Sequence, residues 1–286
     1  MNAIVYLSRS REAECRQTIH SIRLLAENIL PWSSADIFVF HENGYDRSIV
    51  ESDPVAGKLV KRFIEVDFSS IPHGTEELPS GQRGYRHMCH FFANDIFFQP
   101  ELQGYDYQMR LDVDSYILSP VPFDIFELMR DRGIRYTYRM EMREKAAVSR
   151  GLLECCEQFF RENPEFDKRG RPLEAVKLFY TNFEICDLKW FRGPSWQAYF
   201  KAIDDAGGIY RHRWGDAPIR WLGLKHMLDG KEIHCLRQMA YFHAFKLEKN
   251  LTFRMPGEYL RYALSVIFST MKRRREARAA LAPFLE

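Results

Sequence analysis

Two aspartates one residue apart, Asp112 and Asp114, close an apolar stretch that runs Tyr105-Asp106-Tyr107-Gln108-Met109-Arg110-Leu111. In an extended strand, residues i and i+2 project to the same side. The two carboxylates would then stand about 6.6 Å apart at roughly 3.3 Å per residue. Such a pair makes a hard oxygen site for Mg2+ or Mn2+. A cation held by only one or two carboxylates keeps open positions that a diphosphate can fill, as nucleotide-sugar chemistry requires. The same triplet also arises as a solvated strand end or a helix cap, so it needs support from elsewhere in the chain.

Several other residues could supply that support. His243 follows Ala240-Tyr241-Phe242, and an imidazole beside two carboxylates shifts the preference toward Mn2+. The plain alternative for it is a satisfied core histidine. Glu184 lies in Asn182–Leu188, which alternates as a half-buried strand does. Its plain alternative is a salt-bridge partner. Asp216 belongs to a dense stretch that packs Gly207-Gly208, Arg211, His212, Arg213 and Trp214 ahead of a helix over 219–228, where it could equally serve as the helix N-cap. Arg9 stands at the end of the first strand, placed for a cationic contact to a nucleotide or as a surface arginine.

The elements that must position these residues are readable in outline. Ala3–Leu7 is a short apolar strand. Cys15, Ile19, Ile22, Leu25, Ala26 and Ile29 then recur at helical spacing up to Pro31, and Asp36–Phe40 is a second strand. A third strand is expected over Leu59–Phe68. Strand–helix–strand with short links predicts a right-handed parallel crossover in an α/β sheet, with ligands beyond the carboxyl ends of the strands. Further along, the pattern predicts a loop over Ile71–Gly84, a helix over Gln82–Phe98 and a helix over Asp124–Arg132 that Gly133 ends. A strand over Arg135–Met140, a helix over Ala146–Glu162 and a short strand over Ile233–Leu236 follow. No internal repeat or low-complexity linker divides the chain, which predicts a single domain.

Bulk composition narrows the classes. At 46% hydrophobic and 14% aromatic residues the 286-residue chain can bury a sizeable core. Lys and Arg total 41 against 39 Asp and Glu, a balance that argues against a general nucleic-acid binder. No apolar run approaches the ~18 residues of a membrane span. Met1 leads straight into Ile4-Val5-Tyr6-Leu7, and the expectation from this start is a cytoplasmic protein. The six cysteines show no paired spacing and read as reduced thiols.

The blocks Tyr85-Arg86-His87-Met88-Cys89, Tyr105–Asp114, Asn182-Phe183-Glu184-Ile185, Arg213-Trp214-Gly215-Asp216-Ala217-Pro218 and Tyr241-Phe242-His243 occur in this order. Together they resemble the fungal Golgi α-1,2-mannosyltransferases of glycosyltransferase family fifteen, from Ile4 to about Phe245. The resemblance implies a GT-A type α/β domain over 1–256, with a mixed, mostly parallel central sheet flanked by helices. It implies GDP-mannose as donor, Mn2+ as the metal with Mg2+ the alternative, and transfer with retention to a mannose-containing glycan or glycolipid, at the 2-hydroxyl of mannose. It also implies roles: Asp112, Asp114 and His243 as metal ligands, Glu184 as nucleophile, and Asp216 as a second active-site carboxylate. Arg9, Tyr85, Arg86, Asp114 and Trp214 fall in the regions that hold the nucleotide sugar. Asp112 departs from the family, which usually has Glu there. Two alternatives stay open: a transferase of the same fold that uses another nucleotide sugar, and a catalytically silent glycan-binding protein.

Residues 257–286 read separately. Leu260, Leu264, Ile267, Phe268 and Met271 share one helical face, and Lys272-Arg273-Arg274-Arg275 follows. An amphipathic, basic tail of this kind predicts peripheral contact with the anionic inner face of a membrane; a helix packed on the body is the alternative.

Overall fold

The computed structural model describes residues 1–69, 80–237 and 239–243. The tail expected over 257–286 and most of the 71–84 loop lie outside them. Among the described residues eleven strands form three sheets. They are β1 (Asn2–Ser8), β2 (Asp36–His41), β3 (Val60–Glu65), β4 (Tyr107–Leu111), β5 (Ser115–Ile117), β6 (Tyr136–Tyr138), β7 (Glu141–Arg143), β8 (Lys177–Phe179), β9 (Phe183–Asp187), β10 (Ile233–Cys235) and β11 (Tyr241–His243). The central sheet has seven strands in the order β10-β6-β9-β4-β1-β2-β3, and β5 with β11 and β7 with β8 make two ribbons. Within the central sheet β9 alone runs antiparallel to its neighbours; β1 pairs parallel with both β2 and β4. This is the mixed, mostly parallel α/β sheet flanked by helices that the crossover pattern and the resemblance predict.

Both faces of the sheet are covered, so the inner strands read as continuous apolar runs. Successive residues feed opposite faces. Ala3, Val5, Phe38 and Phe40 share one core with residues of helices Ser80–Ala93, Leu152–Glu162, Pro194–Asp205 and Asp216–Met227. Ile4, Tyr6, Ile37 and Val39 pack against helices Glu12–Asn28 and Ile125–Asp131. The same alternation places Met109, Leu111, Phe183 and Ile185 on the second face. Arg110 and Glu184 therefore point to the first, into the larger core.

Some element bounds differ from expectation. The helix predicted over 82–98 stops at Ala93 and resumes as a separate 3-10 turn, Asp95–Phe98. The helix predicted from Ala146 begins at Leu152, because Gly151 holds a left-handed backbone (φ +76°) that breaks the run.

Candidate active site

The chain leaves β4 at Leu111 and turns back at once into β5, with the Ser115 N–H donating to the Asp112 carbonyl at 2.9 Å. Asp112 and Asp114 sit in this turn and not in a strand. Strand alternation does not bring their carboxylates together; the chain reversal does. The physical reason lies in the residue type: aspartate is depleted in strands and favoured where its carboxylate can serve a turn. Between them Val113 is buried and anchors the turn. β11 pairs antiparallel with β5 and sets His243 opposite Ser115, so the imidazole arrives beside the turn. His243 Nε2 lies 2.9 Å from Asp114 Oδ1 and 3.8 Å from Asp112 Oδ2. One ligand atom from each of the three residues falls within 4.8 Å of the others, a cluster able to hold one cation.

A second set of residues fixes these three. Asp112 Oδ1 accepts from Arg110 Nε at 3.2 Å and Nη2 at 3.1 Å, and Asn182 Nδ2 donates to Asp112 Oδ2. Asn182 also accepts the Asp112 N–H and the Ser115 hydroxyl on its carbonyl, at 3.1 and 2.8 Å, which stitches β9 to the turn. The Tyr180 hydroxyl sits 3.1 Å from His243 Nδ1, leaving Nε2 as the nitrogen that faces the carboxylates. Burial pushes the His243 pKa down, but the hydrogen bond to Asp114 and the nearby Asp112 charge outweigh it and hold the imidazolium above its usual range.

Behind the turn lies a buried charge network. Antiparallel register places Arg110 directly across from Glu184. Arg110 Nη1 donates to Asp216 Oδ2 at 2.6 Å and approaches Glu184 Oε1 at 3.8 Å, and its guanidinium lies 3.5 Å above the Phe92 ring. Burial disfavours this cation, yet Asp112, Asp216 and Glu184 outweigh the penalty and hold it firmly protonated. Glu184 is 1% exposed. Its Oε2 accepts from the Tyr136 hydroxyl at 2.8 Å and from Arg220 Nε at 3.2 Å. Arg220, fully buried, also donates to the Phe92 carbonyl at 2.7 Å and is ringed by Phe97, Phe191 and Trp196 at 4.7 to 5.0 Å. Asp216 is the first residue of its helix and Gly215 holds the cap position, so the N-cap alternative is overturned. Its carboxylate turns inward to Arg110 and to the Thr181 hydroxyl at 2.8 Å.

A cleft of about 830 Å³ opens beyond the carboxyl ends of β1 and β4, with Arg9, Arg11, Tyr85, Asp112 and Asp114 on its walls. Arg9 is paired with Glu14 at 2.5 Å. Tyr85 is 39% exposed, with the Arg213 guanidinium 4.5 Å over its ring. The other two residues expected near the nucleotide turn elsewhere. Arg86 donates to the carbonyls of Tyr210 and Gln82 at 2.8 and 3.1 Å and ties two helices together. Trp214 is buried against Gly208, and its Nε1 donates to the Arg150 carbonyl at 2.7 Å. Glu184 and Asp216 stand behind the cleft wall, joined to it through Arg110.

Sequence reasoning missed Arg110, Arg220, Asn182 and Tyr180. The signal for the two arginines is a cation inside an apolar run, which calls for a buried carboxylate somewhere in the fold.

Residues 76–252 match the family model described as glycolipid 2-alpha-mannosyltransferase. Among curated proteins, the chain is 31% identical over 169 residues to alpha-1,2 mannosyltransferase KTR1 of Saccharomyces cerevisiae, covering 56% of this chain and 43% of that one. It is 29% identical over 219 residues to probable mannosyltransferase KTR3 of the same yeast, covering 68% and 54%. The chain thus spans about half the length of the curated relatives it matches. Among solved structures it superposes on core-mannan synthase A from Aspergillus fumigatus, determined in an Mn/GDP form, with a TM-score of 0.74 at 22% identity over 85% of this chain and 74% of that one.

Proposed function

Because the chain belongs to the glycolipid 2-alpha-mannosyltransferase family, we propose that it moves α-mannose from GDP-mannose to a hydroxyl of a mannose-containing glycan or glycolipid, with retention. The observation that carries this reading is the meeting of Asp112, Asp114 and His243, three donors from two distant parts of the chain within 4.8 Å of one another, with both aspartates on the wall of the cleft. Two carboxylates and an imidazole suit Mn2+, with Mg2+ second, and the Mn/GDP form of core-mannan synthase A supports the same choice. Bound there, the cation would offset the negative charge that gathers on the departing diphosphate.

The chain's own residues prepare that chemistry. Arg110 and Asn182 hold the Asp112 carboxylate in place, and Tyr180 orients the imidazole. Arg9, Arg11 and Tyr85 line the part of the cleft that receives the nucleotide. Asp216 is the second carboxylate nearest the turn, one guanidinium away from Asp112. Glu184 is assigned a positioning role in this reading: its carboxylate is committed to Tyr136 and Arg220, and attack on a sugar carbon would require it to leave both.

The test incubates the full chain with GDP-mannose, Mn2+ and methyl α-mannoside, follows GDP release, and determines the product linkage by NMR. The expected product is an α-1,2-linked disaccharide formed only with metal. Release from a UDP-sugar and none from GDP-mannose would move the reading to another donor. No turnover of any nucleotide sugar, with nucleotide binding intact, would refute transferase activity.

A further inference from the structure

We propose that Glu42 reads the base of the nucleotide donor, its carboxylate accepting from both N1–H and the 2-amino group of guanine. The proposal rests on the donor reading above. Glu42 stands just past β2, and its backbone is pinned: its N–H donates to the Ser8 carbonyl at 3.1 Å, and its own carbonyl lies 3.0 Å from His41 Nδ1. The half-buried carboxylate, in contrast, has no hydrogen-bond donor among the described residues. Burial, with Glu14 nearby, holds its pKa above the usual carboxylate range, against the pull of Arg9 and Arg11, which act only through space. Arg9 itself is already neutralised by Glu14 at 2.5 Å. Glu42 is thus a fixed, under-used acceptor.

Its place in the cleft narrows what it can accept from. The compartment that holds Asp112 and Asp114 adjoins a second of about 610 Å³, and Glu42, Phe68 and Gly84 line both. A diphosphate is repelled by this carboxylate, so the group that meets it must be a neutral donor. Phe68 offers an aromatic face at the same junction, with its ring stacked on His87 at 5.6 Å, and a flat base fits there better than a ribose. Guanine presents two adjacent donors that match the two oxygens of one carboxylate. Uracil presents one donor between two acceptors, and those acceptors meet the anion unfavourably.

The experiment measures binding of GDP, inosine diphosphate and UDP to the full chain in Mn2+ by calorimetry. The wild type and Glu42→Gln are compared, with circular dichroism to check folding. Inosine diphosphate lacks only the 2-amino group, so the wild type alone already gives a reading: GDP is expected to bind roughly tenfold tighter. Glu42→Gln should cost GDP about tenfold to a hundredfold, leave UDP nearly unchanged, and erase the difference between GDP and inosine diphosphate. Glu42→Asp, which keeps the charge, should retain the guanine preference. Equal weakening of all three ligands would assign Glu42 to the ribose and overturn the proposal, as would an unchanged preference in Glu42→Gln. A wild type that binds none of the three overturns the donor reading itself, an outcome distinct from these.

Discussion

Glu184→Gln should unfold this protein more readily before it says anything about catalysis. The substitution keeps the shape of the side chain and removes its charge. Arg220, fully buried with its Nε 3.2 Å from Glu184 Oε2, is then left with the carbonyls of Phe92 and Ala93 and the surrounding rings. At an effective dielectric of about 20 the lost attraction is ~5 kcal/mol. Breaking one side of a buried pair generally costs about 3–5 kcal/mol, because an uncompensated charge remains. In a domain of this size each kcal/mol moves the melting temperature by roughly 2–4 °C, so a fall on the order of 10 °C is expected. Adding Arg220→Met removes the orphaned cation and fills its aromatic socket with an apolar chain, and most of the lost stability should return. Thermal melts of the wild type and both variants test the stability claim, and GDP release from GDP-mannose is assayed in parallel. If Glu184 only positions its neighbours, activity recovers along with stability in the double variant. If Glu184 attacks the sugar, the double variant is stable and inactive. A single variant that melts within about 2 °C of the wild type would refute the buried-charge account altogether.

Asp114→Asn and His243→Ala should each lower Mn2+ affinity by at least tenfold with little change in melting temperature, read by calorimetry; unchanged affinity would remove them from the metal site. His90 supplies a pH dependence away from the cleft. Burial pushes its pKa down, but the carboxylates of Asp204 and Asp95 outweigh this and raise it to about 9, above the ~6.5 of an unfolded chain. Its stabilising effect is therefore complete below about pH 6.5 and disappears as pH rises through about 9, a change on the order of 3 kcal/mol at most. Urea midpoints between pH 6 and pH 10 should fall accordingly, and His90→Gln should flatten the curve. Gly208→Ala would set a methyl group 2.2 Å from the Trp214 ring, so that ring must move off its seat. A loss of about 2 kcal/mol or more is expected in chemical denaturation, with a change in tryptophan fluorescence.

Much of the fold is legible from local pattern. The buried strand at Ala3–Leu7, the amphipathic helix that Pro31 ends and the next apolar strand encode an α/β crossover, because periodicity and breakers act over one element at a time. The cluster's membership was legible in the same way: Asp112, Asp114 and His243 are the right residue types, in blocks uncommon enough to identify a family. How they meet was not. The aspartates converge through a turn, and His243 joins them only because β11 pairs with β5, a contact between residues 128 positions apart such as Ser115 and His243. Arg110 and Glu184 face each other only because β9 runs antiparallel beside β4 in one register; a slip of one residue would send Glu184 to the opposite face. The directions of Arg86 and Trp214 were likewise set by distant carbonyls at Tyr210 and Arg150. Local sequence sets which face of an element is apolar. Which buried cation meets which buried anion depends on strand order and register, and these come into being only as the whole sheet assembles.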